Sequence, residues 1–263
     1  MGERDTGSLR VLVVQHEDVV PVRMLGGWLA EEGAEVVTVR PDRGERLPSG
    51  DEVQAYDAAV VLGGTMDSWD DAHHPWFPAT RSLLRAAADR GVPVLAICLG
   101  HQLGAQAFGG EVGRNPAGQT AAVVPVGWTD AAYADPLLGA IARETRGAAV
   151  AVHHNSDVVT RLPDGAEVLA TAPDGSPQAT RLAGSVWGVQ CHPEADAGLV
   201  RAWEGLRADG PRAEVVADAE HAMPSLLATW RLLGRSLVAL ADARRAGGAA
   251  STAAAVQARE VRA

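Results

Sequence analysis

The segment PVLAICLGHQLGAQAFGG, residues 93–110, decides how this chain folds. Its first part is an apolar run of strand length, and its second part has the spacing of a helix that ends at a glycine pair. Between them, Cys98 stands two residues after Ala96 and two residues before Gly100. Small residues at those positions are typical of a sharp strand-to-helix turn, where larger side chains would clash with nearby backbone. The segment therefore predicts a buried strand, a tight turn that presents Cys98, and a helix.

Strands and helices also alternate before this segment. The predicted strands are LRVLVVQ (9–15), AEVVTVR (34–40) and AYDAAVVLGG (55–64), and the predicted helices are VRMLGGWLAEEG (22–33) and WFPATRSLLRAAADRG (76–91). This alternation is typical of a parallel sheet with helices on both faces. Such sheets bind ligands at the carboxyl ends of their strands, so we expect the functional residues near Gln15, Gly63-Gly64 and Cys98.

The pattern changes in the second half of the chain. Between residues 111 and 184, shorter apolar runs alternate with turn sequences such as PDG (163–165 and 173–175), which favours antiparallel strands. SVWGVQCHPEAD (185–196) predicts a late core strand, and helical composition follows it. We therefore predict an α/β fold, with an open, mostly parallel central sheet, helices on both faces and a smaller antiparallel strand section.

Length and composition limit the possible domain organisation. With 263 residues, 47% of them hydrophobic, the chain can bury a full core as one domain. A polar N-terminus and a C-terminal stretch without an apolar stripe predict disorder at residues 1–8 and 247–263, and a single domain over residues 9–246. Two cysteines, no apolar leader and no apolar stretch of membrane-spanning length predict a cytoplasmic protein.

Charge limits the classes of ligand. The 23 basic and 33 acidic residues give a net charge of −10, which argues against general binding to nucleic acid or to a membrane surface. All 23 basic residues are arginines, so lysine Schiff-base chemistry and a P-loop lysine are excluded. No metal and no cofactor are predicted, because the cluster of Asp70, Asp71, His73 and His74 lacks a diagnostic ligand spacing and is more typical of a solvated loop.

Cys98 is the candidate nucleophile. A tight turn before a helix holds the side chain out toward a substrate, and the positive end of the helix dipole would stabilise a thiolate. An isolated cysteine is more often a packing residue, but the turn pattern favours the catalytic interpretation. In His192-Pro193-Glu194, residues i and i+2 of an extended segment share one face, so Glu194 can orient His192. Thiol, imidazole and carboxylate together form a complete set for nucleophilic catalysis.

The Gly63-Gly64 pair follows a predicted core strand. The N–H of Gly64, with the N–H of Leu99 just after the nucleophile, would form an oxyanion hole, and we assign Gly63 to the substrate contacts. A simple strand-ending turn is the alternative for a glycine pair viewed alone.

With these motifs, the chain resembles the class I (triad-type) glutamine amidotransferase family and is similar to the amidotransferase domain of GMP synthase. The matching segments are AYDAAVVLGGTMDSWDD, HHPWFP, PVLAICLGHQLGAQAFGGEV, DPLLGAI, SDVVTRLPDGAEVLATA and VWGVQCHPEAD. The roles that the resemblance implies are a Cys98-His192-Glu194 triad, an oxyanion hole at Gly64 and Leu99, and substrate contacts from Gln102, Asn155 and Ser156.

Three features depart from the family pattern. Ala96 stands where the family usually has glycine, a change also found in relatives that hydrolyse γ-glutamyl amides. Cys191 replaces the aromatic residue before His-Pro-Glu, and by alternation it should pack away from the His192 face. Asn155 and Ser156 stand where the family often has His-Gly-Asp or His-Ser.

The sequence thus predicts hydrolysis of the glutamine side-chain amide through a thioester on Cys98. The ammonia would pass to a separate synthetase subunit or another acceptor enzyme, because the chain carries no P-loop and no pyrophosphatase loop of the SGG type. Two alternatives remain at this point: a stand-alone hydrolase of another γ-glutamyl compound, and a non-catalytic binding or regulatory subunit.

Overall fold

A computed structural model describes residues 7–260 of the chain, with side chains through residue 247. The strands of this part are β1 (Arg10–Val14), β2 (Glu35–Val39), β3 (Ala58–Val61), β4 (Val94–Ile97), β5 (Glu111–Arg114), β6 (Thr120–Pro125), β7 (Gly127–Trp128), β8 (Val150–Asn155), β9 (Asp157–Arg161), β10 (Glu167–Thr171), β11 (Pro177–Ala183) and β12 (Val186–Val189). The α-helices are α1 (Arg23–Glu31), α2 (Phe77–Asp89), α3 (Leu99–Ala107), α4 (Asp130–Ala134), α5 (Gly139–Thr145), α6 (Ala197–Gly205) and α7 (Ala213–Glu260).

The central sheet has the strand order β2-β1-β3-β4-β12-β11-β10-β7. Its first five strands run parallel, and the last three continue the sheet in antiparallel pairings. Two further antiparallel pairs, β5 with β9 and β6 with β8, form separate small sheets. The predicted α/β fold with a mostly parallel central sheet and a smaller antiparallel section is confirmed.

Both faces of the inner parallel strands β1, β3, β4 and β12 are buried, which is why their sequences are nearly continuously apolar rather than alternating. Val11 and Val13 of β1 belong to a core packed with side chains of α1 and α7. Leu12 and Val14, which point the other way, belong to a second core with side chains of α2 and α3. Helices therefore cover the sheet on each side.

Three neighbouring parallel strands bring the predicted functional segments together. β3 leads into Gly63-Gly64, β4 leads directly into Cys98, and β12 leads into the segment that contains His192. Because these strands are parallel and adjacent, their carboxyl ends lie side by side at one edge of the sheet.

The C-terminal helix α7 is helical in its backbone to Glu260 and packs against α1, α5 and α6. The predicted disordered segments, 1–8 and 247–263, fall largely outside the residues whose side chains are described. Their disorder, and the domain limits of 9–246, stay predictions.

Candidate active site

Cys98 lies at a strained turn between β4 and α3. Its backbone angles are φ 49° and ψ −106°, and non-glycine residues rarely adopt such a positive φ. A Cβ on Gly100 would come within 2.2 Å of the carbonyl oxygen of Val61, so only glycine permits the first turn of α3 to approach β3 this closely. The turn therefore has the geometry that the spacing of small residues predicts.

A cavity of about 330 Å³ opens beside this turn. The predicted site residues that line it are Gly64, Cys98, Gln102, Asn155, Ser156 and His192. The three other predicted site residues lie behind its wall: Leu99 and Glu194 are fully buried, and Gly63 packs against His192 and Cys98.

His192 and Glu194 form a buried pair at the end of the segment that follows β12. The Nδ1 atom of His192 lies 2.7 Å from Oε1 of Glu194, and only 3% and 0% of their side chains are exposed. The backbone N–H of His192 donates to the carbonyl of Val152 at 2.8 Å, which fixes the base of the side chain. Imidazole and carboxylate are thus in direct contact, but the segment is not extended as the sequence suggested. Residues 193 and 194 form a turn, closed by a hydrogen bond from the N–H of Ala195 to the carbonyl of His192 at 3.2 Å.

The charges around His192 favour its protonated form. Burial alone would lower the pKa of the imidazole, but charge interactions with Glu194 and Cys98, together with hydrogen bonds to both, outweigh burial and raise this pKa. A raised pKa lets His192 act as a proton donor at neutral pH.

The glycine pair after β3 packs directly against these groups. A Cβ on Gly63 would lie 2.9 Å from Cε1 of His192 and 3.4 Å from Cβ of Cys98, and one on Gly64 would lie 2.6 Å from Cδ2 of Leu99. The N–H of Leu99 is in the first turn of α3, where N–H groups have no acceptor within the helix. Gly64 therefore lies directly against the side chain of Leu99, the residue that follows Cys98.

Gln102 and Asn155 share one backbone acceptor. The Nε2 atom of Gln102 and the Nδ2 atom of Asn155 each donate to the carbonyl oxygen of Asp157 at 3.1 Å. These contacts orient both side-chain amides on the cavity wall that also includes Ser156.

Sequence reasoning missed several residues at the cavity. Arg114 lines the cavity, and its guanidinium forms ion pairs with two carboxylates. The guanidinium nitrogens lie 2.7 Å from an oxygen of Asp67 and 2.9 Å from an oxygen of Asp157. No local signal marks this cluster, because its members are more than 40 residues apart. The Nε2 atom of Gln190 lies 3.5 Å from Sγ of Cys98, and strand alternation counted back from His192 would have indicated it.

Other residues considered from the sequence lie elsewhere. Cys191 is buried in the core, where burial raises the pKa of its thiol and makes it a poor nucleophile. On an exposed loop, the Nδ1 atom of His73 forms a hydrogen bond with Oδ1 of Asp70 at 2.8 Å. Among the side chains of residues 7–247, no group of three or more His, Cys, Asp and Glu is placed to hold a metal ion. Within residues 7–260, no helix has the length and apolarity needed to cross a membrane.

Comparison with known proteins shows which family the sequence matches. Residues 23–201 match the family model of class-I glutamine amidotransferases. The chain is 37% identical over 152 residues to the glutamine-hydrolysing GMP synthase of Aeropyrum pernix, a match that covers 57% of this chain and 25% of that protein. It is 39% identical over 136 residues to a glutamine-hydrolysing GMP synthase subunit of Natronomonas pharaonis, covering 51% and 65%. The chain thus spans less than two thirds of either relative.

The fold has counterparts among solved structures. A glutamine amidotransferase from Methylobacillus flagellatus superposes with a TM-score of 0.75 at 25% sequence identity, over 89% of this chain and 96% of that one. The family match extends over more than half of the residues and includes β3, β4, α3 and β12. The chain therefore belongs to the class-I glutamine amidotransferase family.

Proposed function

We propose that this chain releases ammonia from the side-chain amide of glutamine through a thioester on Cys98. The observation that carries the proposal is the meeting, at one cavity, of a strained Cys98 and the buried His192–Glu194 pair with its 2.7 Å contact. Family membership supports the same chemistry.

In the first half-reaction, the Cys98 thiolate attacks the side-chain carbonyl carbon of glutamine and forms a C–S bond. The carbonyl electrons move to oxygen, where the N–H groups of Gly64 and Leu99 stabilise the oxyanion. The oxyanion then collapses, the C–N bond breaks, and the His192 imidazolium donates its proton to the departing nitrogen. Ammonia leaves, and a γ-glutamyl thioester remains on Cys98.

In the second half-reaction, His192 is neutral and takes a proton from water. The water oxygen attacks the thioester carbon, the C–S bond breaks, and glutamate leaves while Cys98 returns to the thiolate. Glu194 stabilises the imidazolium that forms again on His192. The sum is glutamine plus water to glutamate plus ammonia.

We infer that the ammonia goes to a separate acceptor enzyme. The Natronomonas relative is named as one subunit of a GMP synthase, which supports such an arrangement for this chain. The acceptor itself would be identified by co-purification and by stimulation of ammonia release.

The decisive measurement is steady-state ammonia release from glutamine by the purified chain, compared with release from asparagine and from γ-glutamyl amides. We expect glutamine to have the highest kcat/KM. Preference for a substituted γ-glutamyl amide would support a stand-alone hydrolase instead. If no amide were hydrolysed, with or without candidate acceptor enzymes, a non-catalytic role would replace this proposal.

Gly63→Ala should lower kcat by about tenfold or more with little change in KM, because small displacements of catalytic groups are costly. The added methyl would lie 2.9 Å from Cε1 of His192, so the ring has to move relative to Cys98. Gly27→Ala is the matched control, since a Cβ there meets nothing within 4 Å. Equal kcat for the Gly63 and Gly27 variants would contradict this packing.

Gln102→Ala should raise the KM for glutamine by about fivefold to tenfold, the effect of losing one substrate hydrogen bond, with kcat nearly unchanged. Gln102 lines the cavity, where the bond to Asp157 orients its amide. Gln106→Ala, one helical turn later, removes an amide that instead bonds Ser68 and should leave KM unchanged. An unchanged KM for Gln102→Ala would remove this residue from the substrate contacts.

A further inference from the structure

Two histidines at the cavity pack against the same indole ring. Trp203 of α6 lies 4.7 Å from His192 and 5.4 Å from His154, measured between ring centroids. All three side chains line the cavity, and Trp203 is only 5% exposed. An aromatic ring at such distances makes favourable contacts with another ring, and more so with a cationic one.

The hydrogen bond to Glu194 does not by itself fix the direction of the His192 ring. It holds Nδ1, and the ring can still pivot about that contact and carry Nε2 away from Cys98. A Cβ on Gly63 would lie 2.9 Å from Cε1, so there is little free space on that side of the ring, and Trp203 packs against the ring with an interplanar angle of 57°. We propose that Trp203 is a positioning residue that restricts this pivot and keeps His192 aligned with Cys98.

Trp203 is itself held on more than one side. Its Nε1 atom donates to the carbonyl oxygen of Val19 at 2.7 Å. His154, its second aromatic neighbour, is held through Nε2, which lies 3.1 Å from Oε1 of Glu204.

Glu204 holds His154 firmly in place beside Trp203. Its side chain is fully buried and accepts from the backbone N–H of Arg212 at 2.9 Å and from the guanidinium at 2.7 Å. The hydrogen bonds from Arg212 lower the pKa of Glu204 to about 2, so the carboxylate is ionised at neutral pH. The α6–α7 connection thereby fixes His154, and His154 confines Trp203 beside His192.

The proposal rests on the function proposed above, but it can be tested separately through the reactivity of Cys98. Alkylation of Cys98 by iodoacetamide at pH 6, followed by peptide mass analysis, reports how well an imidazolium stabilises the thiolate without any turnover. The titratable groups that interact with His192 are Glu194, Cys98, His153 and His154. None of them is changed in the variants below.

Trp203→Leu should lower kcat for glutamine by about tenfold to a hundredfold, with KM within about twofold of the wild-type value, because the ring contact acts on alignment and not on substrate binding. The alkylation rate of Cys98 at pH 6 should fall by about fivefold. Trp203→Phe, which keeps an aromatic ring, should recover most of both losses.

Trp128→Leu is the matched control, because Trp128 packs against Trp230 outside the cavity. It should reduce the melting temperature and leave Cys98 reactivity unchanged. If Trp203→Leu does not fold, Trp203→Met fills more of the space without a ring and should show the same losses. Wild-type Cys98 reactivity in a folded Leu or Met variant would overturn the proposal. A chain that releases no ammonia but shows these alkylation differences would instead refute only the proposed function.

Discussion

Cys98→Ala should abolish glutamine hydrolysis, with kcat lowered by about 10⁴-fold or more, because the thioester cannot form without the sulfur. The fold should survive, since the substitution removes one atom at a turn whose conformation depends on Gly100 and on the adjacent strands. Ammonia release measured at saturating glutamine, together with a thermal unfolding curve, checks both parts of this expectation.

Cys191→Ala is the matched control for Cys98. Its thiol is buried in the core and has a raised pKa, so activity should be retained. A diazo-ketone analogue of glutamine should label Cys98 alone, visible as one adduct in a peptide mass map. Loss of activity from the Cys191 variant, with retention in the Cys98 variant, would show that the nucleophile is assigned to the wrong sulfur.

Glu194→Gln should lower kcat by about 10²-fold to 10⁴-fold and leave the KM for glutamine nearly unchanged. The carboxylate interacts more strongly with the imidazolium than with the neutral ring, and the imidazolium is the form that donates a proton to the departing amide nitrogen. When His192 is already replaced by alanine, Glu194→Gln should lower kcat little further, because the two residues act as a unit. A wild-type kcat in Glu194→Gln would remove this residue from the chemistry.

The pH dependence should change in a defined direction. The charge of Glu194 helps to raise the pKa of His192, whereas burial lowers it. Without the carboxylate, His192 loses its proton at lower pH, so the alkaline limb of the kcat/KM profile should move to lower pH. The exposed Glu220→Gln change should leave the profile unchanged.

The raised pKa of His192 also predicts how the stability of the fold depends on pH. A histidine whose pKa is raised by folding stabilises the native state fully below its unfolded pKa of about 6.5. That stabilisation is lost as the pH rises through the folded value. Denaturant unfolding should therefore show a smaller difference between Glu194→Gln and the wild type at alkaline pH than at pH 6.

The sequence by itself determined the α/β fold, because the information is local. Continuous apolar runs such as that of β4 are needed where a strand is buried on both faces, and they can be seen without knowing the neighbours. The turn at Cys98 follows from small residues at fixed spacing. The sequence also indicated that His192 and Glu194 would meet, although a turn at residues 193 and 194, and not an extended segment, brings them together. Each of these features depends on residues only a few positions apart.

Only the tertiary structure decided which distant side chains complete the cavity. Arg114 meets Asp67 and Asp157 from separate strands and loops, and Trp203 of α6 packs against the ring of His192. Charged and aromatic residues at such positions look the same in sequence as those of a solvated surface. Their roles come from burial and from contacts between segments that no local periodicity encodes, and for that reason they emerge only when the chain is folded.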